Sequence, residues 1–239
     1  HAIIINPIAF PSTMSSARTV VLLILAVALP ACLAMPRFIK EDLSVQGSQT
    51  QPDFCGDSEC PPFKLVKETD NYEVRTYDEE KWVITNVTDS FYTVAYPKAT
   101  TRLLKYFKGQ NDKGTHLNIT TPTVSYLELD DDRKGTKKAY TFGWFISRHI
   151  EEIPKPTDPE LEIVTYPETT RYVRVFGGYA SEGNIVEQAV ALQDVLSKEG
   201  KSFEPKGLLA AVYDAPQKLL NRHNEVHLFA TDNDALVSA

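Results

Sequence analysis

The chain is 239 residues long, 42% apolar and 24% charged, with 15 Pro and 11 Gly. Those proportions exclude a collagen-like, low-complexity or wholly disordered chain and fit one domain or two small ones. Its 25 Lys and Arg against 32 Asp and Glu give a net charge of −7. No long basic run supplies the concentrated positive field that a phosphate backbone requires, so no nucleic acid partner is expected.

Residues 1–13 precede Met14 and read as upstream sequence. Residues 14–34 read as a signal peptide. Arg18 gives the positive start, 20–29 is an unbroken apolar run, and Cys32 and Ala34 are the small residues at −3 and −1 of a cut after Ala34. The run is too short for a bilayer span of roughly 20 residues, and no later stretch is apolar enough, so stable membrane insertion is not expected. An uncleaved anchor is the weaker alternative, because the run ends at Pro30.

Residues 35–62 read as an irregular lead-in closed by Pro61 and Pro62. Cys55 and Cys60 lie there in a Gly- and Asp-containing loop. With no further thiol or imidazole beside them, they read as a local disulfide in an oxidising compartment rather than a metal site. Asn86-Val87-Thr88 and Asn118-Ile119-Thr120 are N-x-T sequons. Behind a signal peptide, Asn86 and Asn118 read as glycosylation sites of a secreted protein.

The folded domain is expected over 63–231, with a short tail at 232–239. One pattern occurs in it twice. Residues 72–77 and 161–166 each carry a Glu-apolar-x-Thr-Tyr strand, followed by a polar turn and a second strand at 81–87 and 171–176. A helix follows in each half. Tyr92, Ala95, Ala99, Leu103 and Tyr106 set the first, which stops at Gly109. Ile185, Ala189, Leu192 and Leu196 set the second, which stops at Gly200. Two strands close each half, at 116–129 and 138–148, then at 207–213 and 225–230. The acidic run 130–135 between the first pair reads as a solvated hairpin turn. A calcium loop would need an acidic group where Thr141 stands. Residues 153–159 form a Pro-rich connector. Gly177 and Gly178 read as a tight strand-to-helix turn, not a phosphate cradle. The fold class is α+β: two ββαββ-like halves sharing one curved or closed antiparallel sheet.

The YEVRTY strand with Lys81-Trp82-Val83, the segment from Asn111 through Thr121-Pro122 to Ser125, Phe176–Ala180 (FGGYA) and 220–226 (LNRHNEV) resemble the SOUL/haem-binding protein family, nearer its haem-binding protein 2 branch. The resemblance runs from about residue 63 to 229. It implies a distorted antiparallel β-barrel of two pseudo-repeats with two packed helices. It also implies haem or another porphyrin as a reversible ligand, and no catalytic site.

No axial ligand stands out for the iron. His1 lies upstream, and His116, His149, His223 and His227 read as ordinary surface or strand-end residues. Thr76, not His, stands between Arg75 and Tyr77. The candidate haem site is the end of the first helix, where Leu103, Leu104 and Phe107 offer an apolar patch and Arg102 and Lys105 neutralise propionates. Tyr72, Trp82, Tyr172 and Phe176 read as barrel core. Two functions remain: a secreted carrier or scavenger of haem, or a secreted interaction protein that holds a peptide, lipid or protein partner and binds haem incidentally.

Overall fold

The computed structural model describes residues 51–231. The upstream segment 1–13, the signal peptide 14–34, the first part of the lead-in and the tail 232–239 lie outside the described residues.

Nine strands form one antiparallel sheet: β1 (Phe63–Glu68), β2 (Glu73–Tyr77), β3 (Glu80–Thr88), β4 (Thr123–Glu128), β5 (Ala139–Phe145), β6 (Leu161–Tyr166), β7 (Thr169–Phe176), β8 (Gly207–Val212) and β9 (Asn224–Phe229). Two helices, α1 (Tyr92–Phe107) and α2 (Glu182–Lys198), pack on it. The strand order is β1-β2-β7-β9-β8-β4-β5-β3-β6. The sheet is a curled half-barrel whose edges are β1 and β6, so the fold is α+β.

The repeat is exact in topology. Exchanging β2 with β6, β3 with β7, β4 with β8 and β5 with β9 reverses the order from β2 to β6 and leaves it unchanged. The halves interlock. β2 and β3 are joined by a short polar turn yet do not pair with each other. β2 pairs with β7 and β3 with β6, each across the repeat. Neither half can therefore complete its own ladder.

The structure departs from the sequence reading in three places. β1 is an added strand that covers the edge of β2, with a register shift between Leu65 and Lys67. The strand expected over 116–129 joins the sheet only as β4 from Thr123, since Pro122 has no amide hydrogen for a ladder, while His116 forms an isolated bridge with Lys108. Residues 53–60, read as irregular lead-in, pack closely: Cys55 and Cys60 are buried, and the Thr121 amide donates to the Glu59 carbonyl at 2.9 Å. The disulfide expected between Cys55 and Cys60 is present.

The core lies between the helices and one sheet face. α1 covers β3 and β5, and α2 covers β7 and β9, in keeping with the repeat. Alternation along the strands selects the face. Val74, Tyr172, Val226 and Leu228 meet the helices. So do Tyr92, Ala95, Ala99, Leu103, Tyr106 and Phe107 from α1. Tyr72, Trp82 and Phe176 are buried as read from the sequence.

Candidate ligand-binding site

The ends of β7 and β9 are neighbours because Phe176 pairs with Asn224. The turn after β7 therefore meets the loop that leads into β9. Asn224 ties them together by donating from Nδ2 to the Gly178 carbonyl at 2.8 Å. Gly178 has φ +74°, a conformation that favours glycine, and Ser181 then caps α2 by accepting from the Asn184 amide.

The loop from 214 to 222 wraps around one guanidinium. Arg222 donates from Nη1 to the carbonyls of Ala215 and Lys218, both at 2.7 Å, and from Nη2 to the Asp214 carbonyl at 2.8 Å. Asp214 in turn accepts from the His223 amide at 2.6 Å and pairs with Lys218 at 2.6 Å. The Arg222 guanidinium lies 4.7 Å from the centre of the Tyr179 ring, a cation–π distance. Its Nε is buried without an acceptor from the protein.

Between this loop and the N-terminal half of α1 is a cleft of about 280 Å³. Tyr92, Tyr96 and Pro97 form one wall, and Tyr179, Val212 and Arg222 the other. Tyr92 is fixed by its hydroxyl contact with Ser125 at 2.8 Å. A second, open hollow of about 530 Å³ shares Pro97 and runs along α1 past Val94, Lys98, Thr101 and Arg102. The site is thus an aromatic-walled groove with Arg222 in its lining and two cations, Lys98 and Arg102, along its outer side. Such a surface suits a flat apolar ligand that carries carboxylates.

The structure places the sequence-predicted patch at the end of α1, made of Arg102, Leu103, Leu104, Lys105 and Phe107, partly in the core. Leu103 is 0% and Phe107 1% exposed, so both belong to the core rather than to an open apolar patch. The helical period places them on the same stripe as Ala95 and Ala99. Leu104 packs against that core from its margin, and Lys105 is exposed. Only Arg102 borders the groove. It also donates to Thr85 at 3.1 Å and faces Glu160 at 3.5 Å.

The histidines need a second correction. His227 was read as an ordinary surface or strand-end residue, yet it is buried. On the sheet face away from the helices, Glu225 sits fully buried between Arg75 Nη1 at 3.0 Å, His223 Nε2 at 2.8 Å and His227 Nε2 at 2.9 Å. Tyr213 donates to it at 2.8 Å. Arg171 pairs with the buried Glu80 at 2.7 Å. Burial raises the cost of a carboxylate charge at Glu225, but the histidines and Arg75 outweigh it and hold its pKa well below the usual range. Burial lowers the pKa of His227, with Glu225 opposing. A neutral His227 therefore carries its proton on Nε2, facing an oxygen that only accepts. Phe54 of the disulfide loop covers this cluster, stacked on His223 with 4.1 Å between ring centres. Among the described residues, no group of three His, Cys, Asp or Glu is arranged to hold a metal ion.

The cleft residues Tyr96, Tyr179 and Arg222 were missed as a site. Two of them lie inside segments singled out for family resemblance, FGGYA and LNRHNEV. No sequence spacing joins positions 179 and 222; the β7–β9 pairing does.

The fold is an antiparallel half-barrel with two helices, of the α+β class. The family profile described as SOUL heme-binding protein matches residues 58–229. Heme-binding protein 2 of Homo sapiens is 34% identical over 66% of this chain and 77% of its own. Heme-binding protein 2 of Mus musculus is 33% identical over 78% and 91%. Heme-binding protein 1 of Mus musculus is 31% identical over 72% and 93%. The EcmrR C-terminal domain shares the fold, with a TM-score of 0.50 at 12% identity over 66% of this chain and 96% of that one. The chain belongs to the SOUL heme-binding protein family.

Proposed function

We propose that the protein is a secreted, non-enzymatic carrier or scavenger of haem or a related tetrapyrrole, held in the groove between α1 and the 214–222 loop. The cleft walled by tyrosines, with the Arg222 side chain in its lining, carries this reading. The porphyrin plane would cover Tyr96, Tyr179 and Pro97, and Lys98 and Arg102 stand along the same helix for the propionates. The relatives named as heme-binding proteins supply the ligand class.

Secretion is supported by the Cys55–Cys60 disulfide, by the leader read at 14–34, and by the exposure of Asn86 and Asn118. Among the described residues no helix is long and apolar enough to cross a membrane. Expression in a glycosylating cell line tests the reading. The protein should appear in the medium, shift in mass with an N-glycosidase, and lose that shift when Asn86 and Asn118 are both replaced by Gln.

A haemin titration followed by absorbance tests the ligand. Thr93→Glu, an exposed cleft position on α1, should weaken a saturable Soret shift about tenfold, equal to about 1.4 kcal/mol. Leu104→Asp, outside the cleft, should leave it unchanged. The reverse pattern would return the site to the end of α1. The interaction-protein reading draws on Leu219 and Leu220, 72% and 78% exposed on the loop bordering the cleft. No saturable shift in the wild type would favour it.

A further inference from the structure

We propose that Phe54, carried by the Cys55–Cys60 loop, is a positioning residue for the cleft wall formed by the 214–222 loop. The wall is held in this way whatever the cleft binds, so this role stands apart from the tetrapyrrole reading. Tyr213 and His223 are the two ends of that loop. β8 ends just before the first, and β9 begins just after the second. Their backbones meet at a neck, where the Tyr213 amide donates to the His223 carbonyl at 3.4 Å. A loop closed at one such neck takes its direction from whatever fixes the two neck residues.

Phe54 contacts both. Its ring stacks on His223, with 4.1 Å between centres and 3° between planes. It meets the Tyr213 ring at 5.0 Å and 79°. Tyr213 and His223 meet each other at 5.0 Å and 80°, so the three rings form a closed set. A second link runs through Thr121. Its amide donates to the Glu59 carbonyl of the disulfide loop at 2.9 Å, and its hydroxyl donates to the Tyr213 carbonyl at 3.2 Å. The disulfide loop is itself tied, by the Cys55–Cys60 bond and by Gln51 Nε2, which donates to the carbonyls of Gly56 at 3.1 Å and Ser58 at 2.9 Å. Phe54 is thus presented from a crosslinked turn, which has little freedom left to lose when the ring is placed.

The neck passes its position to the cleft through adjoining residues. Asp214 follows Tyr213, and its Oδ2 accepts from the His223 amide at 2.6 Å. Arg222 precedes His223, and its guanidinium gathers the carbonyls of Asp214, Ala215 and Lys218. Asp214, Pro216 and Arg222 line the cleft. Glu225 holds the neck from the sheet side, accepting from Tyr213 and contacting His223 Nε2, both at 2.8 Å. Glu225 therefore fixes the polar ends of the two neck side chains, and Phe54 packs against their rings. Without Phe54 the neck can rock about the Glu225 contacts, and the wall moves at Arg222, whose guanidinium lies 4.7 Å from the centre of the Tyr179 ring.

The test is amide hydrogen exchange and proton NMR on the full chain without ligand, for wild type, Phe54→Ala, Phe54→Leu and Phe54→Tyr. Urea unfolding of the same samples gives each change in global stability. Phe54→Ala should speed exchange over 213–223 about tenfold beyond what that change accounts for, while β5 moves by no more than it. Phe54→Leu fills the space without an aromatic face and should fall between. Phe54→Tyr keeps the ring and should restore the wild-type rates. The Arg222 side-chain protons, shifted by the Tyr179 ring in wild type, should lose that shift in Phe54→Ala and regain it in Phe54→Tyr. Wild-type exchange over 213–223 in Phe54→Ala overturns the assignment, as does an equal acceleration in β5 or a failure of Phe54→Tyr to rescue. An unchanged Arg222 shift leaves Phe54 a support of the fold alone and overturns its role at the cleft. Should Phe54→Ala not fold, Phe54→Leu carries the same comparison.

Discussion

Along β2, β7 and β9 the two faces of the sheet carry buried residues of opposite chemistry. On β2, β7 and β9 the helix-facing residues are Val74, Tyr172, Val226 and Leu228. Their alternating neighbours are Arg75, Arg171, Glu225 and His227, all buried. A strand reading HPHP predicts one dry and one wet face. Here the second face is covered as well, because Phe54 and Phe63 lie over it. The Arg75 guanidinium sits 4.1 Å from the centre of the Phe63 ring, and that of Arg171 sits 4.1 Å from the Tyr77 ring. The buried charges balance, with Arg75 and Arg171 against Glu225 and Glu80. The lesson is that a polar stripe marks the face an extra segment must cover, and not necessarily a face in water.

The sharpest way to break the contrast is to unbalance the charged face. Arg75→Met removes the cation beside Glu225 and should cost about 3–5 kcal/mol, because a buried charge loses its partner. Urea unfolding reads this as a lower midpoint. The double change Arg75→Met with Glu225→Gln should cost less than the two single changes summed. The apolar face should respond to volume instead. Leu103→Ala should cost about 2–5 kcal/mol through the cavity it leaves, with no change in the pH dependence of stability.

pH separates the faces further. The pKa of His227 is lowered from 6.5 in the folded protein. Below pH 6.5 the unfolded chain therefore binds more protons, and stability falls as pH falls. Glu225 is held well below its ordinary 4.5. Its contribution is complete above that value and is lost progressively beneath it. Melting temperatures across pH 8 to 4 should decline in that order, and His227→Phe should flatten the upper part of the fall. The smallest effect is expected at the rim. Replacing Cys55 and Cys60 by Ala opens a short loop, for a loss of about 2 kcal/mol.

Much of the architecture was readable from local signals. The paired strand patterns, the 3.6-residue stripe of α1 and the stops at Gly109 and Gly200 depend on neighbours within one or two turns. Both glycines do adopt positive φ, 93° and 66°. The site was only partly readable. Arg102 does border the groove, but Leu103 and Phe107 were assigned to a ligand face when their spacing placed them in the core. β1 escaped notice because its residues alternate weakly, and its role is to cover an edge that exists only once β2 has paired with β7.

Sequence by itself determined most of the elements, the repeat, the family resemblance and the disulfide, since each rests on residue type and short spacing. Tertiary structure decided three other things: that β2 and β3 pair across the repeat and not with each other, that the charged stripe is covered, and that Tyr96, Tyr179 and Arg222 share a cleft. Those outcomes depend on which distant strands hydrogen-bond. Position 179 meets position 222 only because Phe176 pairs with Asn224, a contact that no local pattern encodes.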